Sequence, residues 1–247
     1  MNGEILRIVN GSRLYGTDVD TSDEDFVGVY VEPPDMLFLG REKKSVQLHD
    51  RPEGQRTVRG EVDGQAYSLR HFIYLTANGG PSQLCVLFAP EDKIVFSTEE
   101  GRFVLTQRDM FVSKLAIPRF KGYLQSQMLR LKREKTGHTP NRPELVEEFG
   151  FDTKYASHVA RLALQGIEFL NSGVITLPMP IDDREFILAI RTGQYTYDTT
   201  IILLEQLEQR LIETAEKCTL RDEPDWQGLA LTSRMAHQSM WSKNADC

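Results

Sequence analysis

Three residues near the start of the chain have types and spacing suited to phosphate and metal chemistry. Ser12 follows Gly11 in a predicted turn, and Asp23 and Asp25 come eleven and thirteen residues after the serine. Glycine lets a phosphate approach the backbone, and the serine hydroxyl and nearby N–H groups can donate to its oxygens. Two carboxylates spaced two apart, just ahead of a strand, point to the same side and can bind a divalent cation. The stretch therefore predicts a combined phosphate and metal site.

Two strands and a short helix are predicted to position this site. Residues 5–9 are mostly β-branched or aliphatic and predict a buried strand that leads into the Gly11 turn, and residues 26–31 predict a second strand directly after Asp25. A helix that begins near Arg13 would add the partial positive charge of its N-terminus to the phosphate site.

The metal prediction has alternatives, because five acids fall within residues 18–25 without a Lys or Arg among them. Carboxylate oxygens suit Mg²⁺ or Mn²⁺. A charge run, however, is most often a solvated loop. The run also begins like a calcium-binding EF-hand loop, but Asp23 stands where glycine is required and Val29 stands where glutamate is required. Calcium binding of that type is therefore excluded.

The stretch GSRLYGTDVDTSDEDFVGVYVEPPD resembles the signature of the DNA polymerase beta superfamily of nucleotidyltransferases, which is Gly-Ser, a short spacer and Asp-x-Asp. The fuller pattern is similar to the RlaP-type branch of bacteria and phages, which is associated with RNA ligases and RNA repair. YSLRHF at residues 67–72 and FDTKYASH at residues 151–158 extend the resemblance to about Leu220. It implies a nucleotidyltransferase that moves a nucleoside monophosphate from an NTP to a hydroxyl acceptor, releases pyrophosphate and uses two ions of Mg²⁺ or Mn²⁺.

The resemblance also implies roles for individual residues. Asp23, Asp25 and a third carboxylate would be catalytic and would bind the metal. We expect the third to be Asp63, although Glu61 lies two residues earlier and an Asp-Gly pair is also a common hairpin turn. A basic stripe at i, i+4 and i+7 on the helix after Phe151 fits a triphosphate tail, and an exposed helix face is its alternative. The nucleotide-binding residues are then Gly11, Ser12, Arg13, Lys154, His158 and Arg161.

The distribution of charge bears on the acceptor. The 247 residues carry a net charge of −7, yet residues 119–142 contain seven basic residues and one acid. Such a segment can attract a nucleic-acid backbone, although the solvated face of an amphipathic helix has a similar composition. The expected partners are an NTP and an RNA acceptor, such as an RNA or tRNA end. A protein AMP-transferase of toxin–antitoxin type and a non-catalytic nucleotide or RNA sensor are the alternatives.

Periodicity predicts an α+β fold with three regions. The first region is residues 1–110, for which the resemblance implies a polymerase-beta-like core with a mixed sheet. Residues 111–220 are predicted to be mainly helical, and residues 221–247 are a tail of weak periodicity. Further strands are expected at residues 45–48 and 56–62, helices at 67–78 and 82–88, and a small strand pair at 172–177 and 186–191.

Cysteine usage and hydropathy predict the compartment. The three cysteines are scattered without metal-binding spacing, which predicts a reduced protein with neither disulfides nor a zinc site. The longest uninterrupted apolar run has six residues, at positions 84–89, far short of the roughly 20 that span a bilayer. We therefore expect a cytoplasmic protein without a membrane span.

Overall fold

A computed structural model of the chain describes residues 3–20, 22–48, 62–135 and 142–245. Within these residues, five strands form one mixed sheet in the order β3-β4-β2-β1-β5. Their bounds are β1 Glu4–Asn10, β2 Glu24–Tyr30, β3 Ser45–Gln47, β4 Val62–Ser68 and β5 Ile94–Ser97. β4 runs parallel to β2, and the other neighbouring pairs are antiparallel. The sheet and the helices that follow it confirm the α+β fold class.

The described helices of 20 residues all begin after residue 115. The first five are α1 Gly11–Tyr15, α2 Pro34–Phe38, α3 Leu69–Ala77, α4 Pro81–Leu87 and α5 Glu99–Thr106. The remainder are α6 Ala116–Lys135, α7 Pro143–Phe149, α8 Thr153–Ser172, α9 Ile181–Arg191, α10 Tyr197–Glu216 and α11 Trp226–Ala245. Short 3-10 turns lie at Glu91–Lys93 and Arg108–Phe111. No helix of this described set combines the length and apolar character needed to cross a membrane.

The directions of three central strands bring their polar ends together. β1 and β2 are antiparallel, so Asn10 at the end of β1 lies opposite Asp25 at the start of β2. β4 is parallel to β2, with Asp63 opposite Asp25. One edge of the sheet therefore presents the Gly11 turn and the two acids.

One buried hydrophobic cluster includes residues of both the sheet and the helices. It extends from Ile5 and Ile8 of β1 through Phe72 of α3 to Leu204 and Leu211 of α10. α8 packs against α6, α9 and α10. The buried residues of α8 include several small ones, which allow the neighbouring helices to approach closely.

Two sequence predictions of local structure are wrong. Tyr67 and Ser68 end β4 rather than begin a helix, because the Ser68 hydroxyl accepts from the His71 N–H and so caps the start of α3. The strand pair predicted at residues 172–177 and 186–191 is absent from the described chain, where α9 covers the second segment. A short apolar run does not distinguish a buried strand from a buried helix. Of the strand predicted at residues 56–62, all but Val62 lies outside the described residues.

The region predicted as a tail contains the 20-residue helix α11. His237 Nε2 lies 3.0 Å from Glu32 Oε2, and the Trp241 indole N–H donates to the Glu32 carbonyl over 2.8 Å. Lys243 donates to Glu100 of α5 over 2.7 Å. Several anchoring contacts of this helix are polar, which is why hydrophobic periodicity did not reveal it.

Candidate active site

The sheet edge and the helices α8 and α9 enclose a cavity of about 170 Å³, which we call the basic pocket. The sheet side contributes the Gly-Ser turn and two carboxylates, and the helix side contributes three cations. The lining residues are Gly11, Ser12, Tyr15, Thr17, Asp23, Asp25, Lys154, Ser157, His158, Arg161, Ile187 and Arg191. Seven of the nine predicted site residues, drawn from segments well over 100 positions apart, thus line one cavity.

Gly11 leaves room for the Asp25 carboxylate. The glycine has a φ of +64°, a region that favours glycine, and a Cβ at this position would overlap the Asp25 carboxylate. The turn thus accommodates the carboxylate against its backbone. The sequence suggested that glycine is needed here so that a phosphate can approach. The need to make room for Asp25 is a second reason for glycine at this position.

The carboxylates and Lys154 shift one another's pKa values. Burial raises the pKa of Asp25, the neighbouring Asp63 and Asp23 raise it further, and Lys154 opposes these effects. Burial lowers the pKa of Lys154, and Arg142 and Arg191 lower it further, against the attraction of Asp23 and Asp25. A bound cation would stabilise the ionised carboxylates, and a bound anion would stabilise the ammonium.

Arg161 is a buried cation at the back of the basic pocket. Only 4% of Arg161 is exposed. Its guanidinium lies 4.1 Å from the centre of the Tyr15 ring and donates to the Gln165 amide oxygen. Among the described residues, no carboxylate forms an ion pair with it. Because burying a charge without a counter-charge is costly, an anion in the pocket would provide the compensating interaction.

His158 is neutral, so the two charged groups of the predicted stripe are Lys154 and Arg161. Burial, followed by the charges of Arg161 and Arg142, lowers its pKa to about 3. Arg161 has no acceptor atom and lies 3.0 Å from His158 Nδ1, so Nδ1 accepts and Nε2 carries the proton. His158 can therefore offer a hydrogen bond from Nε2 but no positive charge.

Arg13 and Arg191 differ from the sequence expectation. Arg13 is exposed and is not among the lining residues, and its guanidinium donates to the Ser22 carbonyl over 3.4 Å. Arg191, at the end of α9, lines the pocket and donates to the Thr17 carbonyl and the Ser22 hydroxyl, each over 3.1 Å. No local sequence signal relates Arg191 to the motif, because the contact spans 174 positions.

Asp63 lies on the other side of Asp25, in a second cavity of about 270 Å³ that we call the amide pocket. Its lining combines side-chain amides, hydroxyls, aromatic rings and the two acids. The lining residues are Asn10, Asp25, Phe26, Val27, Gln47, Asp63, Gly64, Gln65, Tyr67, Ser82 and Gln83. Asp25 lines both cavities. Glu61, the alternative third carboxylate, lies outside the described residues.

A protein-family model matches most of the chain. The family model of RlaP, described as an RNA repair pathway DNA polymerase beta family, matches residues 4–230. The chain belongs to this family. The Gly-Ser turn and the Asp-x-Asp pair that suggested it lie within the matched region.

This RlaP family member is also similar to two individual proteins. It is 29% identical over 125 residues to the "Uncharacterized 38.9 kDa protein in nrdC-mobD intergenic region" of Enterobacteria phage T4. That match covers 50% of this chain and 37% of the phage protein. The crystal structure of a nucleotidyltransferase-like protein from Exiguobacterium sibiricum 255-15 aligns over 96% of this chain and 72% of its own, with 11% identity and a TM-score of 0.30. This likeness is too weak to support an argument.

The acids of this RlaP family member supply oxygen donors for a divalent metal. In the described parts of the chain, no three His, Cys, Asp or Glu side chains are grouped as a ready-made metal site. Mg²⁺ is commonly held by one or two carboxylates together with substrate phosphates, however. Asp23 and Asp25, beside the cations of the basic pocket, fit that mode of binding.

Proposed function

We propose that this chain is a metal-dependent nucleotidyltransferase that transfers a nucleoside monophosphate from an NTP to a hydroxyl group of an RNA or tRNA end. The observation that carries the proposal is the separation of charge on the two sides of Asp25. Lys154, Arg161 and Arg191 line the cavity on one side, and Asp63 lines the cavity on the other. A triphosphate on the cationic side would place its α-phosphate beside Asp25, next to the acceptor side.

The basic pocket offers several donors for a triphosphate. We assign Lys154 and Arg161 as charged donors, Ser12 as a hydroxyl donor and His158 as a neutral donor from Nε2. Arg191 also lines the pocket and shapes the loop that precedes Asp23. Hydrogen bonds to charged groups each contribute about 1.5–3 kcal/mol, so this set would bind a polyphosphate firmly.

The acids would promote the transfer. Asp23, Asp25 and Asp63 would hold Mg²⁺ or Mn²⁺, which when bound neutralises phosphate charge and makes the acceptor hydroxyl more acidic. The acceptor oxygen bonds to the α-phosphorus, the bond from that phosphorus to the α,β-bridging oxygen breaks, and pyrophosphate leaves. The hydroxyl proton passes to the Asp63 carboxylate and then to water.

An RNA acceptor is supported mainly by the description of the family as part of an RNA repair pathway. The basic segment on α6 gives weaker support, because part of its charge is used within the protein. Lys132 ion-pairs with Glu205 over 2.7 Å, and the Arg130 guanidinium lies 5.0 Å from the centre of the Tyr155 ring.

The proposal is tested by incubating the protein with each α-labelled NTP, Mg²⁺ or Mn²⁺, and separate pools of cellular RNA and protein. We expect label in the RNA pool and release of pyrophosphate. Asp25→Asn should abolish both. Asp109→Asn, which removes an exposed acid in a distant 3-10 turn, is the matched control and should leave the transfer rate unchanged.

Other outcomes separate the alternatives. Label in the protein pool alone would identify an AMP-transferase or a related protein modifier. NTP binding without any labelled product would indicate a sensor. Equal transfer by Asp25→Asn and the wild type would contradict the catalytic assignment itself.

A further inference from the structure

The amide pocket adjoins the reacting position but differs in chemistry from the basic pocket. It shares Asp25 with the basic pocket and adds Asp63 from β4. Among the described residues, no Lys, Arg or His lines it. A phosphate placed there would face two carboxylates and, within the described parts of the chain, no cation of the lining, so the pocket suits an uncharged polar group.

Hydrogen bonds hold the side chains of the amide pocket in a row. Gln65 Nε2 donates to Ser45 Oγ over 2.9 Å, and the Tyr67 hydroxyl donates to Gln65 Oε1 over 2.8 Å. Gln83 lines the same cavity as Gln65 and Tyr67. Gln47 lies opposite Gln65 in the β3–β4 register, at the exposed end of the row. The row is therefore organised before any ligand arrives.

The chemistry of this row matches a nucleoside. An amide side chain presents a donor and an acceptor side by side, as does the edge of a nucleobase. Phe26 and Tyr67 add aromatic rings, on which bases stack in many RNA-binding sites. Asn10, in the same lining, has a buried Oδ1 atom that receives no hydrogen bond from the described residues. It would accept one more hydrogen bond.

We infer that the amide pocket binds the terminal nucleoside of the RNA acceptor through its uncharged groups and selects the terminal base. This inference rests on the proposed nucleotidyltransferase function. The row of amides beside Asp25 and Asp63 supports it. Phosphates further along the RNA would lie outside this pocket, away from Asp25 and Asp63.

The test measures binding of short single-stranded RNAs in the absence of divalent cations, so that no transfer takes place. One set of RNAs differs only in the 3′-terminal base and a second set only in the 5′-terminal base. The variants are Gln83→Leu inside the pocket and Gln47→Leu at its mouth. Gln206→Leu, on the exposed face of α10, is the matched control. Binding of a non-hydrolysable NTP is measured on each protein by thermal shift.

We expect the wild type and Gln206→Leu to prefer one terminal base in one of the two sets by about tenfold, since a lost hydrogen bond in a buried site weakens binding by that order. Gln83→Leu should reduce the preference to about twofold or less, and Gln47→Leu should reduce it partly. NTP binding should not change. The dependence of RNA affinity on salt should also be the same in all four proteins, because the removed groups are neutral.

Two results would overturn the inference while leaving the nucleotidyltransferase proposal in place. One is a wild type that binds NTP and transfers label to RNA but does not distinguish terminal bases. The other is a Gln83→Leu variant that keeps the full preference. Transfer to protein alone would reject both the RNA acceptor and this inference. Failure to bind any NTP would reject the proposed function and the inference with it.

Discussion

Replacing Gly11 by alanine separates two effects that usually occur together, backbone strain and displacement of a catalytic group. Gly11 has a φ of +64°, and its new Cβ would overlap the Asp25 carboxylate. Gly40 has a φ of +62°, and a Cβ there would have no atom within 4 Å. Gly40→Ala therefore imposes the same backbone strain without the overlap.

The strain has a predictable size. An L-residue in the left-handed region costs about 1–2 kcal/mol. For a chain of this length that corresponds to a fall of roughly 2–8 °C in the thermal midpoint. We expect Gly40→Ala to lose about this much and Gly11→Ala to lose more, because its Cβ also overlaps the Asp25 carboxylate.

The catalytic effect should distinguish the two variants. In Gly11→Ala the Asp25 carboxylate has to move, and a misplacement of about 1 Å in a catalytic group costs on the order of a hundredfold in rate. The assay measures the transfer rate and thermal midpoint of the wild type, Gly11→Ala and Gly40→Ala under one condition. We expect transfer to fall about a hundredfold in Gly11→Ala and to be retained in Gly40→Ala. Equal transfer by the two variants would refute the conclusion that Gly11 positions Asp25 for catalysis.

Three further predictions concern charge. Asp25→Asn should raise the thermal midpoint while abolishing transfer, because it removes one of three mutually repelling carboxylates; calorimetry that shows a lower midpoint would contradict this. Lys154→Ala should weaken binding of a non-hydrolysable NTP by about tenfold or more in a titration, since a charged donor is lost. Although burial favours the neutral carboxyl of Glu100, hydrogen bonds with Lys243 and Ser239 lower its pKa from 4.5 to about 2. Its stabilising contribution is complete above about pH 4.5 and is lost as the pH falls towards 2, so unfolding measured against pH should be less acid-sensitive in Glu100→Gln than in the wild type.

The sequence was most informative where residues that act together are close along the chain. Gly11, Ser12, Asp23 and Asp25 flank two consecutive strands, so local pattern and strand direction suffice to bring them together. Asp63, expected as the third carboxylate, lies opposite Asp25 because β4 pairs in parallel with β2. Its catalytic role remains a prediction.

Features that depend on distant packing could not be predicted. The neutral state of His158 arises from burial and from the approach of Arg161, neither of which the helical spacing indicates. The amide pocket combines residues from β1 through α4, and nothing in the local pattern of Gln47 or Gln83 indicates a shared cavity. The anchoring of α11 uses a buried His237–Glu32 pair rather than an apolar stripe, so periodicity gave no signal.

The contact of Arg191 with the loop before Asp23 has a consequence for how the gene of this chain can exchange segments with a related gene. Arg191 donates to the Thr17 carbonyl and the Ser22 hydroxyl, so a residue of α9 shapes a loop encoded 174 positions earlier. Recombination between two such genes anywhere between these positions would separate the loop from the side chain that fits it. A crossover inside this interval should therefore be retained only when the two parent genes encode a loop and an α9 that fit each other. The loop before Asp23 and α9 should then pass between genomes as one unit.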